Sequence, residues 1–203
     1  MGKYKIGLFG GTFDPPHIGH MILASEAAFQ FDLTKVFWAL APEPPHKLEQ
    51  AISPLERRIE MLQLAIQDNS VFEFSRLEID RPGPHYTVDT LELLQKLEPT
   101  AEIYLLMGGD SLRNLHTWRR YTDLIQAVPR IGVLRRPGDL FDFNEFDPAI
   151  RPILKEKATF IDSFLHNLSS REIRRRAANG EAYRYYLHPA VYEYIESNRL
   201  YRA

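Results

Sequence analysis

The chain has 203 residues, with 25 basic and 27 acidic side chains that give a net charge of −2. This near-balance argues against a broad nucleic-acid-binding surface, so any polyanion must be bound locally. The absence of cysteine excludes disulfide bonds, thiolate catalysis and cysteine-based zinc sites. No apolar run approaches the roughly 18 residues of a membrane span, and no signal-like segment precedes the first strand, so we expect a cytoplasmic protein that binds no membrane.

The most informative stretch lies close to the start of the chain, where an apolar run at residues 6–9 precedes Gly10 and Gly11. With the apolar pattern beyond them, this order predicts a strand, a tight glycine loop and an amphipathic helix. Unpaired backbone N–H groups and the helix dipole at such a helix start favour a bound phosphate. His17 and His20 are three residues apart, so we expect both rings on one face of the first turn. An ordinary strand, loop and helix without a ligand is the alternative.

Further apolar runs alternate with amphipathic segments along the chain. The runs predict strands at residues 36–41, 71–79, 102–107, 130–134 and 158–161. The amphipathic segments predict helices at residues 53–66, 87–97, 121–128, 169–179 and 189–200, with N-terminal caps at Ser53, Thr87 and Ser169. We therefore expect an α/β fold, a Rossmann-like doubly wound parallel sheet with a small C-terminal helical part.

The predicted elements suit a single domain over residues 1–203, with an α/β core at 1–165 and C-terminal helices at 166–203. Residues 139–152 are acidic, aromatic and proline-punctuated without a clear period, and we expect them to be a surface excursion.

Several polar residues follow predicted strands or begin predicted helices, at the edge where open α/β sheets bind ligands. Lys47 can contact a phosphate there, although a solvated loop lysine is the commoner case. Gly108 allows a ligand to approach the backbone, and Asp110 either accepts a hydrogen bond from a sugar hydroxyl or only caps a helix. Trp118 either stacks on a flat heteroaromatic ring or belongs to the core. Arg136 follows the fifth predicted strand, where a cation can bind an anionic ligand.

A second anion site is predicted where the helix near residue 169 begins. Ser169 and Ser170 supply hydroxyls and free amides, and Arg174 follows one turn later. The alternative is a capped basic surface helix. Because this site, the histidine loop and Lys47 are all predicted at one sheet edge, the ligand that suits them is a triphosphate held along its length. ATP is the obvious candidate, and another nucleoside triphosphate is not excluded.

The segment His17-Ile18-Gly19-His20, with Thr12 ahead of it, closely resembles the His-x-Gly-His signature of the nucleotidyltransferase superfamily. In that superfamily the two histidines bind nucleotide phosphates and stabilise the transition state of nucleotidyl transfer. Further blocks, in the same order, resemble bacterial nicotinate-nucleotide adenylyltransferases. These blocks are residues 44–47, 86–91, 108–111, 118, 136–138, 168–170, 173–174 and 200–202.

The resemblance implies adenylyl transfer from ATP to nicotinate mononucleotide, which yields nicotinate adenine dinucleotide and pyrophosphate in NAD biosynthesis. It implies Mg²⁺ as the cofactor, bound through substrate phosphates and water rather than by protein ligands. The implied catalytic residues are His17, His20, Lys47 and Arg174. The implied ATP-binding residues are Gly10, Gly11, Thr12, Phe13, Gly108, Asp110, Ser169 and Ser170. The implied nicotinate mononucleotide-binding residues are Tyr86, Thr87, Trp118 and Arg136.

The chain departs from the family pattern at two positions. Arg171 stands where the family commonly has threonine, which removes a hydroxyl and adds a cation. His85 stands where serine commonly precedes the tyrosine-threonine pair, so the contacts at the ring pocket are expected to differ.

Two other functions stay open at this point. One is another nucleotidyltransferase, such as a cytidylyltransferase or an adenylyltransferase with a phosphopantetheine acceptor. The other is a nucleotide-binding protein without catalytic activity. The sequence also leaves open whether the chain forms a homo-oligomer.

Overall fold

The computed structural model describes residues 4–43, 52–135, 141–164 and 167–202. Within these ranges six strands form one sheet, namely β1 (Lys5–Gly11), β2 (Lys35–Leu40), β3 (Phe72–Ser75), β4 (Glu102–Gly108), β5 (Ile131–Leu134) and β6 (Ala158–Phe160). The strand order is β3-β2-β1-β4-β5-β6, and every neighbouring pair is parallel. The order reverses between β1 and β4, and ligands of open α/β sheets bind beyond the carboxyl ends of the strands at such a point. The expected Rossmann-like doubly wound sheet is confirmed.

Helices cover both faces of the sheet. Those within the described ranges are α1 (Ile18–Phe31), α2 (Leu55–Ile66), α3 (Thr87–Leu97), α4 (Gly109–Asn114), α5 (Tyr121–Ala127), α6 (Arg151–Lys157), α7 (Ser170–Ala178) and α8 (Pro189–Ser197). In the part of the chain that the structure describes, no helix has the length and apolar character needed to cross a bilayer.

Alternate strand residues supply two apolar cores, one on each face of the sheet. Phe9 and Trp38 belong to the core that α1, α2, α7 and α8 cover, whereas Leu8 and Phe37 belong to the core under α3 to α6. This division follows from strand geometry, because successive side chains point to opposite faces. It also explains why the β1 and β2 sequences are continuously apolar, since both of their faces are buried.

The C-terminal helices share the first of these cores. Ile173 of α7 and Val191 and Ile195 of α8 are fully buried in it. Polar contacts reinforce the packing of α8 on α2, because the Arg57 guanidinium donates to the Tyr194 hydroxyl and to Asn198 Oδ1. The last segment is therefore packed onto the sheet from the side that also carries α1.

Two predicted helix caps were wrong. Helix α2 begins at Leu55 after Pro54, with no side-chain cap, so Ser53 does not form the predicted capping box. Helix α3 begins with Thr87 itself, and Tyr86 occupies the cap position, again without a side-chain hydrogen bond. The Ser169 cap is confirmed, because its hydroxyl oxygen accepts the Glu172 N–H at 3.2 Å.

Two predicted segments also differ from the structure. The third strand ends at Ser75 rather than continuing to residue 79, because the chain turns at residues 77–80. The segment 139–152 is not wholly a surface excursion, since Phe146 and Ile150 are buried in the second core. These two side chains anchor the connection into α6, which an aperiodic sequence does not indicate.

Candidate active site

A cleft of about 930 Å³ lies at the carboxyl ends of β1 and β4. The first residues of four helices, α1, α3, α4 and α7, contribute to its walls. Helix starts present unpaired N–H groups and partial positive charge, so this arrangement favours an anionic ligand. The cleft therefore has the electrostatic character that the sequence predicted for a phosphate site.

Most of the predicted site residues line this one cleft. Those that line it are Gly10, Gly11, Thr12, Phe13, His17, His20, Tyr86, Thr87, Gly108, Asp110, Trp118, Ser169, Ser170 and Arg174. Lys47 and Arg136 lie outside the described residues. Arg171, which departs from the family pattern, is exposed and also lines the cleft. The structure thus brings together segments that are up to about 160 residues apart in sequence, as the Arg174–Asp14 contact illustrates.

The end of β1 is shaped by the close approach of Phe13 to Gly11. Phe13 has a left-handed backbone (φ 48°), and its buried ring packs edge-on against Phe9 and His20. A Cβ added at Gly11 would lie 2.8 Å from the Phe13 ring, so either the ring or the backbone would have to shift. Glycine at this position therefore lets the Phe13 ring pack against the end of β1.

His17 and His20 form a stacked pair at the start of α1. Their ring centroids are 3.7 Å apart with an interplanar angle of 18°. His17 occupies the cap position, and its backbone N–H donates to His20 Nδ1 at 3.1 Å. Because Nδ1 accepts this bond, the neutral His20 ring carries its proton on Nε2. The expected common face is confirmed, and the helix start fixes the tautomer of His20.

The start of α7 contacts the histidine loop directly. Arg174 Nη1 donates to the Asp14 carbonyl oxygen at 2.6 Å, and Ser170 Oγ donates to the Pro15 carbonyl oxygen at 2.8 Å. Ser169 Oγ is engaged as an acceptor in its cap, which leaves its O–H as a donor. The two segments that the sequence predicted as separate anion sites therefore lie against each other in the fold.

Arg58 holds the backbone behind this site. Its side chain is 2% exposed, and its guanidinium donates to the carbonyl oxygens of Thr12, Ala41, Pro42 and Ser53. Burial lowers the pKa of Arg58, and the negative charge of nearby Asp14 acts against that shift. One buried cation thereby joins the loops that follow β1 and β2 to the start of α2. The local sequence carries no signal for this role, because an arginine on an amphipathic helix is usually solvated.

The other end of the cleft is built by α3, α4 and Trp118. Gly108 admits the Asp110 side chain, since an added Cβ would lie 2.7 Å from Asp110 Oδ1. Tyr86 and Thr87 present the start of α3. Trp118 is half-buried, packs against the second core and still lines the cleft. Both of its predicted roles are therefore compatible with its position.

Glu78 and His85 also line this end, although sequence analysis assigned Glu78 no role. Burial raises the pKa of the Glu78 carboxyl, whereas the Thr90 hydroxyl, which donates to it at 2.8 Å, and Arg81 act in the opposite direction. Burial and then the Arg81 charge lower the pKa of His85, which favours the neutral imidazole. The alternating pattern predicts a strand through residue 79 and therefore gives no indication that Glu78 lies in the cleft. Strand β3 instead ends at Ser75, and after the following turn the Glu78 side chain is buried.

Comparisons with known proteins agree with this geometry. The family model described as cytidylyltransferase-like matches residues 8–176. A probable nicotinate-nucleotide adenylyltransferase of Roseiflexus sp. is 42% identical over 207 residues, which span 100% of both chains. The one of Thermomicrobium roseum is 39% identical over 198 residues, which cover 98% of this chain and 92% of that protein.

Solved structures show the same fold. Plasmodium falciparum nicotinic acid mononucleotide adenylyltransferase, complexed with NaAD, superposes with a TM-score of 0.78 at 21% identity and covers 98% of this chain and 97% of its own. The same enzyme complexed with APC superposes with a TM-score of 0.76 over the same fractions of both chains. The identity of 39% and 42% to the two bacterial relatives, over nearly the full length of the chain, shows that the chain belongs to the nicotinate-nucleotide adenylyltransferase family.

Proposed function

We propose that this protein transfers the adenylyl group of ATP to nicotinate mononucleotide, forming nicotinate adenine dinucleotide and pyrophosphate in NAD biosynthesis. Family membership supports the reaction, and one structural observation supports its placement in the cleft. The stacked histidines at the start of α1 and the serine-arginine start of α7 lie against each other through the Arg174–Asp14 and Ser170–Pro15 contacts. Two helix starts and the side chains of His17, His20, Ser170 and Arg174 would then surround a single place for phosphates.

The reaction needs alignment and charge stabilisation more than proton transfer. The attacking group is the 5′-phosphate oxygen of nicotinate mononucleotide, which is already anionic at neutral pH, so no general base is required. A new bond forms between this oxygen and the α-phosphorus of ATP, while the bond to the pyrophosphate oxygen breaks. His17, His20 and Arg174, with Lys47, would stabilise the negative charge that develops on the α-phosphate and the leaving group.

The remaining residues would hold the two nucleotides in line. For ATP, the backbone at the end of β1, from Gly10 to Phe13, would let the nucleotide approach closely, and so would Gly108 and Asp110. Ser169 and Ser170 would offer hydroxyls to the phosphates. For nicotinate mononucleotide, the start of α3 at Tyr86 and Thr87 would bind the carboxylate, Trp118 would stack on the ring, and Arg136 would lie on the mononucleotide side.

We propose Mg²⁺ as the cofactor, carried into the cleft by the ATP phosphates. Phosphate oxygens and water are ligands that Mg²⁺ commonly takes, and nucleotide phosphates supply them. Among the described residues no group of three or more histidine, cysteine or acidic side chains could hold a metal ion. The bound ion would neutralise charge on the departing pyrophosphate. The chain's own contribution is then to orient the phosphates with α1 and α7.

We further propose that residues 1–203 act as one nucleotidyltransferase domain, with the α/β core at 1–165 and the C-terminal helices at 166–203 working together. The burial of Ile173, Val191 and Ile195 in the core under α1 supports this arrangement. Arg174 supports it too, because a C-terminal helix then supplies a side chain to the phosphate site.

Replacing Trp118 tests the acceptor end of the cleft. We expect Trp118→Ala to raise the KM for nicotinate mononucleotide by about two- to tenfold, because ring stacking contributes about 0.5 to 1.5 kcal/mol and about 1.4 kcal/mol corresponds to tenfold. The KM for ATP should stay within about twofold, and Trp118→Phe should recover most of the loss. Steady-state kinetics with each substrate varied in turn measures both values. Equal changes in the two KM values would contradict the assignment.

Pyrophosphate release with ATP and Mg²⁺ tests the acceptor itself. We expect strong preference for nicotinate mononucleotide over nicotinamide mononucleotide and no release with phosphopantetheine. Turnover with phosphopantetheine alone would be consistent with adenylyl transfer from ATP but would contradict nicotinate mononucleotide as the acceptor. ATP binding without turnover on any of these acceptors would favour a non-catalytic nucleotide-binding protein.

A further inference from the structure

Tyr201 makes a long-range contact with the histidine loop. Its hydroxyl donates to Asp14 Oδ1 at 2.6 Å, across 187 positions of sequence. The ring lies against α2, where the hydroxyl also approaches Met61 Sδ at 3.6 Å. Burial, followed by the charge of Asp14, raises the pKa of Tyr201, so the hydroxyl keeps its proton and acts as a permanent donor.

Asp14 links this tyrosine to the phosphate end of the cleft. The residue is 3% exposed, and its second carboxylate oxygen accepts the Ser53 N–H at 3.1 Å. The carbonyl oxygen of the same residue accepts the short bond from Arg174 Nη1. Asp14 Oδ2 lies 4.0 Å from that nitrogen, at the outer limit of an ion pair. The Asp14 carboxylate therefore accepts hydrogen bonds from Tyr201 and Ser53 and lies at the limit of an ion pair with Arg174. The buried charge of Arg58 also acts on it, although Arg58 donates its hydrogen bonds to backbone carbonyls.

The partners of the Asp14 carboxylate determine whether the Arg174 guanidinium points at that carboxylate or at the cleft. A buried carboxylate that loses one of its hydrogen bonds must find another partner, because an unsatisfied buried charge is costly. Arg174 Nη1 already lies 4.0 Å from Asp14 Oδ2, on a side chain that is 28% exposed, and its bond to the Asp14 carbonyl oxygen keeps it beside the carboxylate. Without the Tyr201 hydroxyl, Arg174 would close onto Asp14 and withdraw charge from the cleft.

We propose that Tyr201 is a positioning residue for adenylyl transfer, whose hydroxyl satisfies the Asp14 carboxylate and so leaves the Arg174 guanidinium directed at the ATP phosphates. The proposal rests on the proposed function for the identity of the ligand. Tyr201 follows α8 and does not line the cleft, and its contact runs through Asp14 to Arg174 on the phosphate side. We therefore expect its hydroxyl to affect the binding of ATP and not that of nicotinate mononucleotide.

The direct test compares Tyr201→Phe with a matched tyrosine variant. Phenylalanine keeps the ring and its packing and removes only the hydroxyl. Tyr183→Phe is the control, because the buried Tyr183 also donates its hydroxyl to a carboxylate, that of Glu196, in the same C-terminal part of the chain but away from the cleft. Calorimetric titration gives the Kd for ATP of each variant, and steady-state kinetics gives the KM for nicotinate mononucleotide.

We expect Tyr201→Phe to raise the Kd for ATP about tenfold while leaving the KM for nicotinate mononucleotide within twofold of the original value. Tyr183→Phe should change neither. A merely structural role for the hydroxyl would shift both values together, or shift them equally in the two variants, and either result would overturn the proposal, as would an unchanged Kd for ATP. If the unaltered protein binds ATP but forms no dinucleotide, the proposed reaction fails, and the comparison of ATP affinities still decides the role of Tyr201.

Discussion

The His20→Ala variant is expected to lose about two to three orders of magnitude in kcat, the loss usual when a preorganised donor to transition-state charge is removed. The Nδ1 atom of His20 accepts the His17 N–H, so the ring carries its proton on Nε2 and presents Nε2–H to the phosphates. Stability should fall by about 1 to 2 kcal/mol, since the variant loses the hydrogen bond at the helix start and the ring contacts with His17 and Phe13. Single-turnover kinetics and denaturant unfolding measure the two effects separately.

His188→Ala is the matched control for this variant. The ring of His188 also accepts a backbone N–H at a helix start, that of Ala190 at 3.2 Å, and it pairs with Asp68 outside the cleft. We expect a similar loss of stability and an unchanged kcat. A folded His20→Ala protein with the original kcat would remove His20 from the mechanism.

Arg58→Met is expected to have the largest effect on folding, a loss of about 3 to 5 kcal/mol in the free energy of unfolding. The substitution leaves four backbone carbonyls without their donor and removes the buried positive charge that lies near Asp14. Both effects carry the cost of unsatisfied buried polar groups. Urea unfolding followed by circular dichroism measures the change.

Arg57→Met provides the comparison at the neighbouring position. Arg57 is half-buried and donates to side chains of α8 rather than to buried carbonyls. Its replacement should cost about 1 kcal/mol. Equal losses in the free energy of unfolding for the two variants would contradict the idea that the buried hydrogen bonds of Arg58 stabilise the fold more than those of Arg57.

The fold was predictable because its signals are local. Continuous apolar runs at β1, β2 and β4 report strands buried on both faces, and the intervening amphipathic segments report crossover helices. The errors came where tertiary contacts override the local pattern. Phe146 and Ile150 are buried although their segment has no period, and β3 stops at Ser75 although alternation continues.

The site was predictable where a short motif carries it. The spacing of His17 and His20 and the glycines before them predict one part of the candidate site. A helix start at Ser169, followed one turn later by Arg174, predicts the other part. The residues that hold these groups in place carry no such signal. In sequence, Arg58 resembles any solvated arginine on a helix, and only the fold shows that it is buried. The contact of Tyr201 with Asp14 spans 187 positions, so it too is evident only in the folded chain.

The most direct measurement follows a radioactive label on the α-phosphate of ATP during incubation of the purified protein with nicotinate mononucleotide and Mg²⁺. Attack at the α-phosphorus predicts that the label appears in nicotinate adenine dinucleotide, in amounts equal to the unlabelled pyrophosphate released, and that His20→Ala slows both products together. Label that stays in ATP, or that appears in AMP without dinucleotide, would contradict adenylyl transfer to this acceptor.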